Sequence, residues 1–108
     1  VAAVLRTQHN AWIHAVATAV VIAAGFILGV SRLEWCLLVL AMVAVWSAEA
    51  LNTAVEALGD AVSADRHPLV ARAKDAAAGA VLIAAVGAAI IGILIFVPRL
   101  LPMTGLAP

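Results

Sequence analysis

Long apolar runs separated by short polar interruptions dominate the chain. Three stretches stand out, Trp12 to Val30, Leu33 to about Leu58, and Ala76 to Leu101. Each is near the ~20 residues a helix needs to cross the hydrocarbon of a bilayer. They predict an all-α membrane protein with three transmembrane helices per chain, spanning about 12–30, 33–58 and 76–101 of a single domain covering 1–108. Only His14 and Thr18 interrupt the first stretch, and Gly29 to Arg32 give it a short exit turn, so a tight helical hairpin follows. The second stretch is purely apolar from Leu37 to Trp46 and then carries Ser47, Glu49, Asn52, Thr53, Glu56 and Asp60. A helix of ~28 residues is about 42 Å long, so its polar end overshoots the ~30 Å hydrocarbon core into the headgroups. Ala61 to Lys74 reads as a polar loop in which Pro68 can start a helical turn. Alanine and glycine crowd the third stretch from Ala76 to Gly92, and such residues let helix backbones approach closely in lipid.

Composition agrees with this picture. The apolar share is 67%, against roughly 45–50% in soluble domains. Six basic and six acidic residues cancel, so no long-range field points to nucleic acid. The single cysteine, Cys36, excludes a disulfide framework within one chain and reads as a small buried apolar residue. Arg6, Arg66, Arg72 and Lys74 share one side of the membrane and Arg32 and Arg99 the other, and the basic excess predicts that the first set faces the cytoplasm. Trp12, Trp35 and Trp46 read as interface anchors or packing residues. His9, Asn10 and Trp12 lead into the first span without the pattern of a signal peptide, and Val1 to Arg6 reads as the end of an amphipathic helix.

Candidate chemistry lies at the polar end of the second span. Glu49, Asn52, Thr53, Glu56 and Asp60 stand at offsets of three, four, seven and eleven from the first. At ~100° per residue they fall within roughly a third of the helix circumference. Three carboxylates in one stripe at membrane depth need partners, a wet cleft or a cation, and carboxylate oxygens with room for water and phosphate suit Mg²⁺. Lys74 and Asp75 lie where the loop enters the third span, near Arg72, Arg66 and His67. A helix start with basic neighbours favours a nucleotide phosphate. No P-loop or glycine-rich kinase loop is present. Carboxylates able to hold magnesium and bases able to hold phosphate, at one membrane face, supply the parts that phosphoryl transfer requires.

E-A-L-N-T-A-V-E-A-L-G-D at Glu49 to Asp60, followed by H-P-L-V-A-R-A-K-D-A-A-A-G-A-V-L at His67 to Leu82, closely resembles the signature of the prokaryotic diacylglycerol kinase family. The resemblance runs from about Gln8 to Leu100, including N-x-W-I-H at Asn10 to His14. His-Pro-Leu and the ending I-I-G-I-L-I-F-V-P-R-L look more like the undecaprenol kinase branch than the diacylglycerol branch. It implies a homotrimeric helical bundle in the prokaryotic inner membrane, with sites composed from neighbouring chains at the cytoplasmic surface. The implied activity is phosphorylation of a membrane lipid hydroxyl by ATP with Mg²⁺, undecaprenol preferred over diacylglycerol. Carried over by position, Glu49 is the base that takes the lipid hydroxyl proton, Asn52 orients the acceptor and Glu56 binds magnesium. Asp65, Arg66, His67, Lys74 and Asp75 contact the nucleotide, His67 having a competing role as a loop residue beside Pro68.

Two departures stand out. Gln8 occupies a position where the family usually has a metal-binding glutamate, and Ala11 replaces an aromatic residue. Gln8 remains a weak candidate for metal and nucleotide, because its carbonyl can coordinate but brings no charge. The surface helix that precedes the first span in the family is largely absent, apart from Val1 to Arg6. Two further readings carry different expectations: a non-catalytic trimeric scaffold or lipid-binding relative, and an ion-translocating bundle that uses Glu49.

Overall fold

The computed structural model describes residues 2–62 and 67–105, except for the side chains of 2–10 and 104. It has three helices in sequence, α1 (Ala2–Leu28), α2 (Arg32–Val62) and α3 (Pro68–Thr104). All three are long and apolar enough to cross a membrane. At ~1.5 Å per residue α2 is about 46 Å long and α3 about 55 Å, and the molecule measures 59 × 25 × 22 Å.

Local chemistry sets each boundary. Gly29 ends α1 with φ at 65°, a left-handed conformation that a side chain would resist. The Val30 N–H then reaches back to the Gly25 carbonyl at 3.2 Å, closing the cap, and the Val30 side chain packs with Leu38 and Ile95. Ser31 and Glu34 form a capping box at the start of α2. The Ser31 N–H donates to Glu34 Oε1 at 2.9 Å, and the Glu34 N–H donates to Ser31 Oγ at 3.1 Å.

α3 starts earlier than the apolar pattern indicates. Pro68 occupies its first turn and His67 caps it, Nδ1 accepting the Leu69 N–H at 3.1 Å. Proline loses nothing at this position, because the first turn has no partner for its missing N–H. Residues 68–74, expected in the polar loop, are therefore helical. Residues 2–6 continue the helix of the first span instead of forming a separate element.

α2 and α3 pack extensively, whereas α1 leans on α2 more lightly. Gly25 permits that approach, since a Cβ there would lie 2.5 Å from the Trp35 ring. Phe26 stacks obliquely on the same ring at 4.9 Å. The buried apolar core is small, made of Val30, Leu38, Ala41 and Ile95. Large apolar side chains such as Trp12, Phe26, Ile83 and Leu94 point outward. Such a distribution suits lipid, where apolar groups gain little from burial. Cys36, expected to be buried, is exposed on the outer face of α2, which costs nothing where the surroundings are apolar.

Candidate active site

Among the described residues Glu49 is the buried charged side chain, only 6% exposed. A carboxylate at that depth needs a partner, and α1 provides one: His14 Nε2 stands 3.3 Å from Glu49 Oε2. The His14 ring meets Trp46 edge-on at 6.0 Å, and Trp46 Nε1 donates to Thr18 Oγ1 at 2.9 Å. Two side chains four apart on α1 thus face two side chains three apart on α2, the spacings that place residues on one side of a helix. Beside His14 lies a cavity of about 100 Å³, also lined by Thr18, Met42 and Gly92 from all three helices.

The acidic stripe divides between two neighbours. Glu49 turns to α1, whereas Glu56 and Asp60, two and three turns further on, meet Lys74 of α3. Lys74 Nζ is 2.6 Å from Asp60 Oδ1 and 3.6 Å from Glu56 Oε2. Gly59 makes room for this contact, since a Cβ there would come within 2.8 Å of the Lys74 side chain. Thr53 is drawn inward, its hydroxyl donating to the Glu49 carbonyl at 3.0 Å in the manner of a helix-internal bond. Asn52 has a buried carbonyl oxygen, Oδ1, with no hydrogen-bond partner. A buried acceptor without a donor costs about 1–3 kcal/mol, so this oxygen is suited to a hydroxyl or amine arriving from outside the chain.

Lys74 and Asp75 do not stand at the start of α3, as the apolar pattern implied. With the helix beginning at Pro68, Lys74 lies in its second turn and Asp75 is exposed beyond it. At the start of α3 Pro68 has no N–H, His67 Nδ1 takes the Leu69 N–H and the His67 carbonyl takes the Ala71 N–H. Between that start and the end of α2 opens a cleft of about 420 Å³ with an apolar lining, including Leu58, Gly59, Val62, Leu69 and Val70. Asp65 and Arg66 lie outside the described residues, as does the side chain of Gln8.

Among the described residues no three His, Cys, Asp or Glu side chains come together as a ready-made metal cage. Magnesium does not require one, because it is commonly held by one or two carboxylates with phosphate oxygens and water. Glu56, with Asp60 one turn away, fits that donor chemistry. Two contacts escaped the sequence reading. One is His14 against Glu49, whose only signal was a lone imidazole inside an apolar span. The other is the pairing of Arg99 with Glu34 at the opposite end of the bundle, where Arg99 Nη1 also donates to the Leu28 carbonyl at 3.5 Å.

Comparison with known proteins identifies the family of the chain. The family model described as prokaryotic diacylglycerol kinase matches residues 1–96. The chain is 45% identical over 95 residues to the undecaprenol kinase of Bacillus subtilis, covering 88% of this chain and 77% of that protein. It is 40% identical over 98 residues to a diacylglycerol kinase of Synechocystis, covering 90% of this chain and 56% of that protein. A diacylglycerol kinase of Pseudomonas aeruginosa is 42% identical over 65 residues, 60% of this chain and 53% of its own length. No solved structure matches. The chain belongs to the prokaryotic diacylglycerol kinase family.

Proposed function

We propose that this protein is a lipid kinase that transfers the γ-phosphoryl group of ATP to the hydroxyl of a membrane lipid, undecaprenol ahead of diacylglycerol, leaving the lipid monophosphate and ADP. The observation that carries the reading is the pairing of a buried carboxylate with an unsatisfied acceptor one turn away, Glu49 and Asn52 Oδ1. The 45% identity to an undecaprenol kinase supports the choice of lipid.

The lipid hydroxyl donates a hydrogen bond to one of these two oxygens as it enters. Asn52 holds the acceptor in line, and Glu49 Oε accepts the hydroxyl proton while the lipid oxygen forms its bond to the γ-phosphorus. The bond from that phosphorus to the bridging oxygen of the β-phosphate breaks, and ADP keeps the electron pair. Lys74 and Arg66 bind the phosphates, with His67 Nε2 and Asp75 as further contacts and Asp65 beside them. His67 Nδ1 is engaged by the helix cap, so Nε2 is the nitrogen available. Mg²⁺, held by Glu56 and weakly by Gln8, supplies neutralising charge on the phosphate oxygens. Phosphoryl transfer asks a protein chiefly for such positioning and charge compensation.

The protein acts in the prokaryotic inner membrane with this end toward the cytoplasm, where ATP is found, and as a homotrimer whose sites draw on adjacent chains. The deciding experiment is transfer of labelled γ-phosphate from MgATP to undecaprenol and to diacylglycerol in mixed micelles. Product with one lipid, lost in Glu49→Gln, establishes the activity and the acceptor together. No product with either lipid from a folded oligomer returns the chain to the second reading, a non-catalytic scaffold, which Gln8 in place of the usual glutamate favours. In that case Gln8→Glu changes nothing, whereas in a working kinase it raises activity at limiting Mg²⁺.

A further inference from the structure

We propose that His14 is a positioning residue for Glu49, orienting the carboxylate that takes the substrate proton; the inference rests on the kinase reading of Glu49. Three observations converge on it. The imidazole is the one ionisable partner that reaches Glu49 among the described residues, Nε2 to Oε2 at 3.3 Å. The ring lies edge-on to Trp46 at 6.0 Å, and Trp46 stands one turn before Glu49 on the same face of α2. Close packing does not force the ring there, because a cavity of about 100 Å³ opens beside it and leaves space for other orientations.

A carboxylate at the end of a flexible Glu side chain can rotate either oxygen toward substrate. With Oε2 facing His14, Oε1 is left to accept the hydroxyl proton, and the ionised carboxylate that waits for it has a neighbour able to donate to it. The contact also joins α1 to the chemistry, although α1 is the helix least engaged in the bundle. A polar contact that merely glued α1 to α2 would predict something different. Loss of the Trp46–Thr18 bond at the same interface would then harm activity as much as loss of the imidazole.

The test compares His14→Phe, His14→Gln and Thr18→Val in the mixed-micelle assay with MgATP and the lipid that wild type accepts. Misplacing a reacting group by about an ångström costs on the order of a hundredfold in rate, so His14→Phe is expected to lower kcat between about tenfold and a hundredfold. KM for ATP stays at the wild-type value. His14→Gln, whose amide can donate toward Oε2, recovers most of the rate, and Thr18→Val keeps it. In a Glu49→Gln background, His14→Phe costs nothing more. Wild-type kcat in His14→Phe overturns the proposal, as does Gln performing no better than Phe, or Thr18→Val losing as much as His14→Phe. If His14→Phe fails to assemble, the ring ¹⁵N resonances of His14 decide instead. They shift between the wild-type chain and Glu49→Gln when the imidazole faces the carboxylate, and unchanged resonances overturn the proposal. A wild-type chain that transfers no phosphate refutes the kinase reading and this role with it, whereas an active wild type with indifferent His14 variants refutes only the positioning role.

Discussion

The two ends of the bundle carry unequal numbers of charges, few at the Gly29 end and most at the other, and use them in opposite ways. At the Gly29 end, Glu34 accepts from its own cap and from Arg99, and Arg99 also reaches the Leu28 carbonyl. One ion pair there ties α3 to the start of α2 and the end of α1, although Arg99 Nε is buried without a partner. At the other end Lys74 is shared between two carboxylates, Glu49 is buried against an imidazole, and Asn52 keeps a bare acceptor. Charges that close on one another hold helices together; charges left divided or incomplete are available to a ligand. The apolar core follows the same division, with Val30, Leu38 and Ile95 clustered toward the closed end.

Substitutions at each end can break or sharpen this contrast. The largest effect is expected from Glu49→Gln, which removes the proton acceptor and lowers the phosphoryl-transfer rate by about 10²–10⁴-fold. Circular dichroism should find the helices intact, and full activity in this variant would erase the distinction between the ends. Lys74→Met comes next. Removing a charge-assisted phosphate contact should raise KM for ATP by about 10-fold to 100-fold, and an unchanged KM would make Lys74 a mere tie between α2 and α3.

The closed end should respond in stability and not in catalysis. Arg99→Met removes the cation beside Glu34 and leaves that carboxylate only the Ser31 N–H, so it is expected to destabilise the bundle, read as earlier unfolding in denaturing detergent with the rate per folded molecule unchanged. Adding Glu34→Gln to Arg99→Met should cost less than the two single changes together, because the stranded charge disappears. The smallest effect is expected at Gly29→Ala. The space beside Gly29 is open, so its φ of 65° is the whole penalty, about 1 kcal/mol. A loss well above that would mean the hairpin turn does more than reverse the chain.

The sequence alone determined the elements and the chemistry on offer. Three apolar runs require three spanning helices, since hydrocarbon provides no partner for a bare backbone. The spacing of Glu49, Asn52, Glu56 and Asp60 puts them on one side of α2, because helical periodicity is a local property. Pro68 as the start of a helical turn was equally local. What the chain could not disclose is who meets whom. His14 reaches Glu49 from 35 positions away, Lys74 reaches Asp60 across 14, and Arg99 reaches Glu34 across 65. Those meetings depend on how helices rotate and slide against one another. In lipid that choice is made by small residues such as Gly25 and Gly59 and by a few polar contacts. Apolar periodicity says little there, because nearly every face of these helices is apolar, and so the division of one acidic stripe between two partners was a decision of the tertiary structure.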